Sequence, residues 1–114
     1  MMINKIVLEG RLTHEPLKKS KGDKEISICR LAYDFGYNKD EKKTKSGFID
    51  VVLTASNAKF ANENLHKGNR IICSGLLAVS SYETKEGEQV EKEVILADFV
   101  ESLEKKEVES KESK

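Results

Sequence analysis

Histidine, cysteine and proline are scarce in this chain, and each shortage removes a class of reading. There are two histidines, two cysteines and one proline among 114 residues. His14 and His66 stand far apart, and no serine, cysteine or metal-ligand spacing ties them together. That excludes a nucleophilic constellation, so no enzyme is read here, and no cofactor or metal is expected. Both histidines read as solvating or capping groups, His66 at a helix end where a cation suits the dipole. Cys29 and Cys73 each sit in an apolar segment with no second ligand nearby. They read as reduced, buried thiols that act as small hydrophobes. A disulfide is not expected in a reducing cytosol.

Long apolar runs are missing too, which excludes a bilayer-spanning segment, so no membrane partner is expected. The stretch Met1 to Leu8 has one lysine and no extended apolar core, so it does not read as a signal peptide. A cytoplasmic location is the default. Net charge is also absent: 20 basic residues balance 20 acidic ones. That is awkward for a nucleic-acid binder, whose affinity usually draws on phosphate neutralisation. The balance is uneven along the chain, however. Residues 1–70 hold 14 Lys/Arg and 9 Asp/Glu, and residues 71–114 hold 6 and 11.

What is present is a period of two. Ile6, Leu8, Gly10 and Leu12 alternate with Lys5, Val7, Glu9 and Arg11, as in a half-buried strand. Thr13 to Lys24 reads as a loop holding Pro16 and Gly22. Glu25 to about Phe35 reads as a second strand, then Gly36 to Ser46 as a lysine-rich connection. Gly47 to Thr54 is a third strand, with Ile49, Val51 and Leu53 opposed to Phe48, Asp50, Val52 and Thr54. One short helix follows, capped by Ser56 or Asn57, with Ala58, Ala61 and Leu65 at helical spacing and Gly68 as its C′ residue. Arg70 to Tyr82 is a long strand that Gly75 interrupts, as at a barrel corner. Glu83 to Glu88 is a hairpin tip, and Val90 to about Leu103 the last strand.

Three strands, one helix and a two-stranded hairpin leave no crossover helices for a parallel sheet. The fold class is therefore all-β with one short helix: an OB-fold, five-stranded Greek-key barrel. Residues 1–103 form this domain, and the charged stretch 104–114 is expected to be disordered. A domain this small has a marginal core, for which oligomerisation is a common remedy.

INKIVLEGRLTHEP at the start, FIDVVL in the third strand, LHKGNRIICSGLL at the helix end and SSYETKEGE in the hairpin occur in that order. Together they resemble the bacterial single-stranded-DNA-binding protein (SSB) family over about Ile3 to Leu103. The resemblance implies sequence-independent binding and protection of single-stranded DNA in replication, recombination or repair. It also implies a homo-oligomer, a tetramer rather than a dimer, and no catalysis. The location would be the bacterial cytoplasm or nucleoid, or a phage- or plasmid-encoded protein acting there.

Such binding needs flat π surfaces for bases and cations for phosphates. By resemblance the aromatic positions fall on Tyr37, Phe48 and Tyr82. Tyr33 and Phe35 are read as barrel or subunit-contact residues, and Phe99 as packed. The phosphate contacts are assigned to Lys5 and Arg11 on the first strand, Lys18, Lys19 and Lys21 in one loop, and Lys39 and Lys43 in another. The family pattern is broken at Thr54, where an aromatic is common. It is broken again at Ala78 to Ser81, where basic residues are usual, and at Ser56. Weaker, less charge-driven binding is therefore expected. The chain ends in ESKESK, without the Gly/Pro/Gln-rich linker and acidic tip of the family, so recruitment of repair enzymes through a tail is not expected. The alternative is an SSB-like primosome-type accessory or protein-interaction module with weak or no DNA binding. RNA binding of the cold-shock kind stands third, because the dense aromatic motifs of those domains are missing.

Overall fold

A computed structural model describes residues 2–104, apart from the side chain of Lys21. The elements are β1 (Ile6–Leu12), β2 (Leu17–Lys21), β3 (Lys24–Asn38), β4 (Lys43–Thr54), α1 (Ala55–Asn64), β5 (Arg70–Glu83) and β6 (Gln89–Ser102). Their order is β1-β5-β6-β4-β3-β2, and an added β1–β3 pairing closes the sheet on itself. β1, β3, β4, β5 and β6 make the five-stranded barrel of an OB fold, and β2 is an extra strand that pairs with β3 on the edge opposite β4, ahead of the stretch that β1 takes. The β4–β6 pairing, Asp50↔Val94 to Val52↔Leu96, is parallel, and every other pairing is antiparallel.

Alternation explains which face is inside. Gly10 and Leu12 are buried while Val7, Glu9 and Arg11 are exposed. Cys29 and Leu31 of β3, Val51 and Leu53 of β4, Ile71 and Cys73 of β5, and Ile95 and Val100 of β6 complete the core. α1 adds Ala58 and Ala61 from one face, followed by Leu65. Small alanines let the helix axis come close to the barrel. Both cysteines are free and buried. Burial pushes the Cys29 thiol up, and burial with the nearby Cys29 pushes Cys73 up to about 11.

Gly75 marks a bend, as its place in the strand implies. The β5–β6 register shifts between Ser74 and Gly75, which leaves Asp98 as the extra residue on β6. A Cβ at Gly75 would overlap the Leu96 carbonyl oxygen and lie 2.7 Å from the Ala97 Cα. Only a residue without a side chain lets β5 and β6 approach this closely.

Four boundaries differ from the sequence reading. The loop from Thr13 to Lys24 contains β2, which pairs with β3 from Leu17↔Ile28 to Lys21↔Lys24. Its two-residue turn has Gly22 at φ 65, the left-handed geometry of the first position of a type II′ turn. The connection from Gly36 to Ser46 shrinks to residues 39–42, because β3 and β4 run on as a polar ribbon beyond the core. Asn38 Oδ1 accepts the Asp40 and Glu41 N–H groups and closes that turn. The helix begins behind Thr54, not Ser56 or Asn57, and the Thr54 side chain makes no capping bond. Gly68 is not its C′ residue. Leu65 ends the helix in extended geometry, and Gly68, at φ 93, donates its N–H to the Leu12 carbonyl instead.

The region 104–114 lies outside the described residues except for Glu104, whose carboxylate accepts the Arg70 N–H at 2.8 Å.

Candidate nucleic-acid interface

The outer face of the barrel is fixed by register. On β4 the side chains of Thr44, Ser46, Phe48, Asp50, Val52 and Thr54 alternate outward, opposite the core row of Ile49, Val51 and Leu53. Tyr37 of β3 pairs with Thr44, so it shares that face, and Ala32 pairs with Phe48. Lys92 of β6 hydrogen-bonds Asp50 and pairs with Ser80 of β5, and Tyr82 pairs with Val90. Tyr37, Phe48 and Tyr82 thus lie on one sheet face although they come from three strands. Their exposures are 57%, 64% and 51%, which leaves each ring mostly in water.

The other aromatics divide. Tyr33 is half-buried over Gly47, its hydroxyl 2.7 Å from where a Cβ would stand there. Phe35 sits at the β3 bulge, exposed, with its ring centroid 6.4 Å from that of Tyr33. Phe99 does not pack: the Asp98 bulge sets it opposite Ser74 on the outer face, half exposed.

The cations divide as well. Arg11 is paired across the barrel seam with Ala32, which is itself paired with Phe48. Two strand spacings put the Arg11 and Phe48 backbones about 10 Å apart. One Arg11 nitrogen donates to the Gly68 carbonyl at 2.9 Å. Arg70, on the other side, is in register with Arg11 and lies 3.7 Å from the Glu9 carboxylate. Glu9, Arg11, Ala32, Tyr33, Asp34 and Arg70 line a shallow groove there. Lys5 is exposed just before β1. Lys18 and Lys19 do not act from a loop. They alternate on β2, Lys19 beside Ile26 on the Thr54 side of the sheet and Lys18 beside Ser27 on the other. Lys21 ends β2. Lys39 and Lys43 mark the two sides of the β3–β4 turn, both exposed.

Three charged residues that the sequence reading left out, or did not connect, stand inside this face. Asp50 accepts from Arg30 Nε at 3.1 Å and from Lys92 Nζ at 2.7 Å. Partial burial alone would raise the Asp50 carboxyl, and the bonds from Lys92 and Arg30 outweigh it and hold the group below its ordinary value. Arg30 was legible as an outward residue between buried Cys29 and Leu31. Lys92 carried no such signal, being the single cation between Glu91 and Glu93. Away from this face, Glu15 accepts the Lys67 N–H and a bond from His66, which together lower its carboxyl. That pins the turn after α1 to the connection between β1 and β2 and accounts for His66. Among the described residues, no group of three or more His, Cys, Asp or Glu is placed to hold a metal ion. No helix among them is long and apolar enough to cross a membrane.

Residues 3–103 match the model of the single-strand binding protein family. The chain belongs to that family. A single-stranded DNA-binding protein of Fusobacterium nucleatum subsp. nucleatum is 36% identical over 102 residues, covering 87% of this chain and 66% of that protein. Single-stranded DNA-binding protein 2 of Staphylococcus aureus strain COL is 32% identical over 106 residues, covering 92% of this chain and 76% of its own length. The chain thus spans about two thirds of the first of these relatives and three quarters of the second. Among solved structures, a Plasmodium falciparum SSB complex with ssDNA superposes with a TM-score of 0.77 at 21% identity, covering 91% of this chain and 97% of that one. At that identity the likeness speaks for the fold, and it agrees with the five-stranded closure.

Proposed function

We propose that this protein binds and protects single-stranded DNA without regard to sequence, in replication, recombination or repair. The observation that carries this reading is one exposed face bearing Tyr37, Phe48 and Tyr82 on a barrel of the single-strand binding family. Every base has a π face, so rings that offer stacking alone hold a strand without reading it, at about 1–3 kcal/mol per base. Arg11 stands in the same row as Phe48, and Lys5, Lys18, Lys19, Lys39 and Lys43 offer further cations around the barrel. Lys21, on the end of β2, belongs to the same proposal. No bond is made or broken in this reading.

The protein acts as a homo-oligomer, with a tetramer favoured over a dimer. Leu17, Ile28, Val52, Leu96 and Leu76 lie in direct register across five strands, and Leu17, Leu76 and Leu96 are exposed, with Val7 and Phe99 nearby in the ladder. Contiguous apolar surface of this kind is uncommon on a monomer. The bacterial-type cytoplasm, where DNA is replicated, is the proposed location.

Anisotropy titration of a labelled oligo(dT) strand across salt concentrations tests the reading. Saturable binding with a shallow salt slope is expected, since residues 1–100 balance 16 basic residues against 15 acidic ones. No binding at micromolar protein and low salt would sink it, and leave a protein-interaction module as the reading.

A further inference from the structure

We propose that Arg30, Asp50 and Lys92 form a charge-setting element within the aromatic face: two cations that meet DNA phosphates, held in place and halved in net charge by one carboxylate. The inference rests on the single-stranded-DNA reading above and adds residues to that same site.

The geometry is layered. Asp50 lies between the two cations, on the middle strand of β3, β4 and β6. Its side chain is 17% exposed, while those of Arg30 and Lys92 are 45% and 34% exposed. The carboxylate is therefore the floor, and the cations stand toward solvent. Each carboxylate oxygen takes one partner, Oδ1 from Arg30 Nε and Oδ2 from Lys92 Nζ. Among the described residues, the two terminal nitrogens of Arg30 donate to no protein acceptor. Lys92 has three protons and, among the described residues, the single partner Asp50. Both cations keep donors for a phosphate while their stems are fixed.

The position fits that use. Asp50 is two residues from Phe48 on the same face of β4. Lys92 is opposite Ser80, two residues from Tyr82 on β5. Arg30 is two residues from Ala32, which lies between Arg11 and Phe48. A strand laid over Phe48 and Tyr82 passes this element. As stabilisers, partly exposed ion pairs contribute little. As contributors to the field of the face they count in whole charges: two positive, one negative, net one.

The test is a charge series on the full chain, with affinity for labelled oligo(dT) measured against salt for wild type, Asp50→Asn, Arg30→Gln and Lys92→Gln. A single-strand contact contributes about 0.7 to the slope of log K against log salt. Asp50→Asn is expected to steepen the slope by about 0.7 per engaged subunit, and Arg30→Gln and Lys92→Gln each to flatten it by about 0.7. Wild-type binding with the same slope in all variants overturns the element and leaves DNA binding standing. A flatter slope in Asp50→Asn also overturns it. Failure of the wild type to bind overturns the underlying reading instead. Thermal melts monitor folding. If Asp50→Asn does not fold, Lys92→Gln decides alone, because it preserves the Arg30–Asp50 bond, and an unchanged slope there refutes the proposal.

Discussion

Replacing Phe48 by alanine separates the two roles open to an aromatic on a strand. In the free protein the ring is 64% exposed, so only about a third of its surface is out of water. Full burial of a phenylalanine side chain is worth roughly 1.5–3 kcal/mol, so the packing lost with Phe48 is about 0.5–1 kcal/mol. Its cross-strand partner is Ala32, too small to grip a ring, which argues against a larger figure. A base stacked on the ring is worth about 1–3 kcal/mol. Phe48→Ala should therefore weaken binding by about 5- to 150-fold at fixed salt while lowering stability by no more than about 1 kcal/mol. Paired measurements decide it: fluorescence titration with oligo(dT), and urea denaturation of the same preparations. Phe48→Trp should restore binding, since an indole offers a larger π surface. Affinity within twofold of wild type, with a stability loss above about 2 kcal/mol, would refute the stacking role and return Phe48 to the packing of the barrel.

Three further outcomes follow from the core and the charges. Gly75→Ala should destabilise the fold by several kcal/mol, roughly the upper end of single-residue effects, because its Cβ collides with the β6 backbone rather than with a side chain that can turn away; a melting temperature within a few degrees of wild type would contradict the bulge geometry. Native protein at pH 8 should react with Ellman's reagent only as it unfolds, since Cys73 titrates at about 11 and both thiols are buried, whereas the denatured chain should report two thiols promptly. Asp50 titrates lower in the folded protein than in the unfolded chain, so its contribution is present above the unfolded value of about 3.9 and is lost as pH falls through the lower folded value. Urea midpoints measured between about pH 5 and pH 2.5 should accordingly fall less steeply for Asp50→Asn than for wild type; parallel curves would show that the carboxylate carries no linkage.

Residues that point into the core announced themselves, and residues whose partners come from topology did not. Ile6, Leu8, Gly10 and Leu12 gave β1 and its inner face, because burial on one side enforces a period of two. LKKSK carries no such period, so β2 was invisible. Pairing with β3 and the Gly22 turn create it, and that pairing splays Lys18 and Lys19 to opposite sides. The polar ends of β3 and β4 were hidden for the same reason: beyond the core neither face is buried. The helix starts behind Thr54, one of several residues there that can cap, and Ala55 enters it at φ 57. The three ring positions could be named one at a time, but the row from Arg11 through Ala32 to Phe48 exists only because β1 closes on β3.

Charge shows the same limit most sharply. Counted along the chain, residues 1–70 look basic and residues 71–114 acidic. The fold does not respect that division, because β6 from the acidic part lies beside β4 from the basic part. Lys92, set among glutamates, reaches back 42 residues to neutralise Asp50 on the aromatic face. Its neighbours Glu91 and Glu93 alternate to the other side of β6, away from Lys92. A neutral sequence therefore does not mean a neutral binding face. Strand alternation sorts the charges of a β-ribbon by parity, and the quantity that governs phosphate binding is the sum over the outward parity of the strands that share the face. That sum depends on single substitutions such as Asp50→Asn, which total composition barely registers.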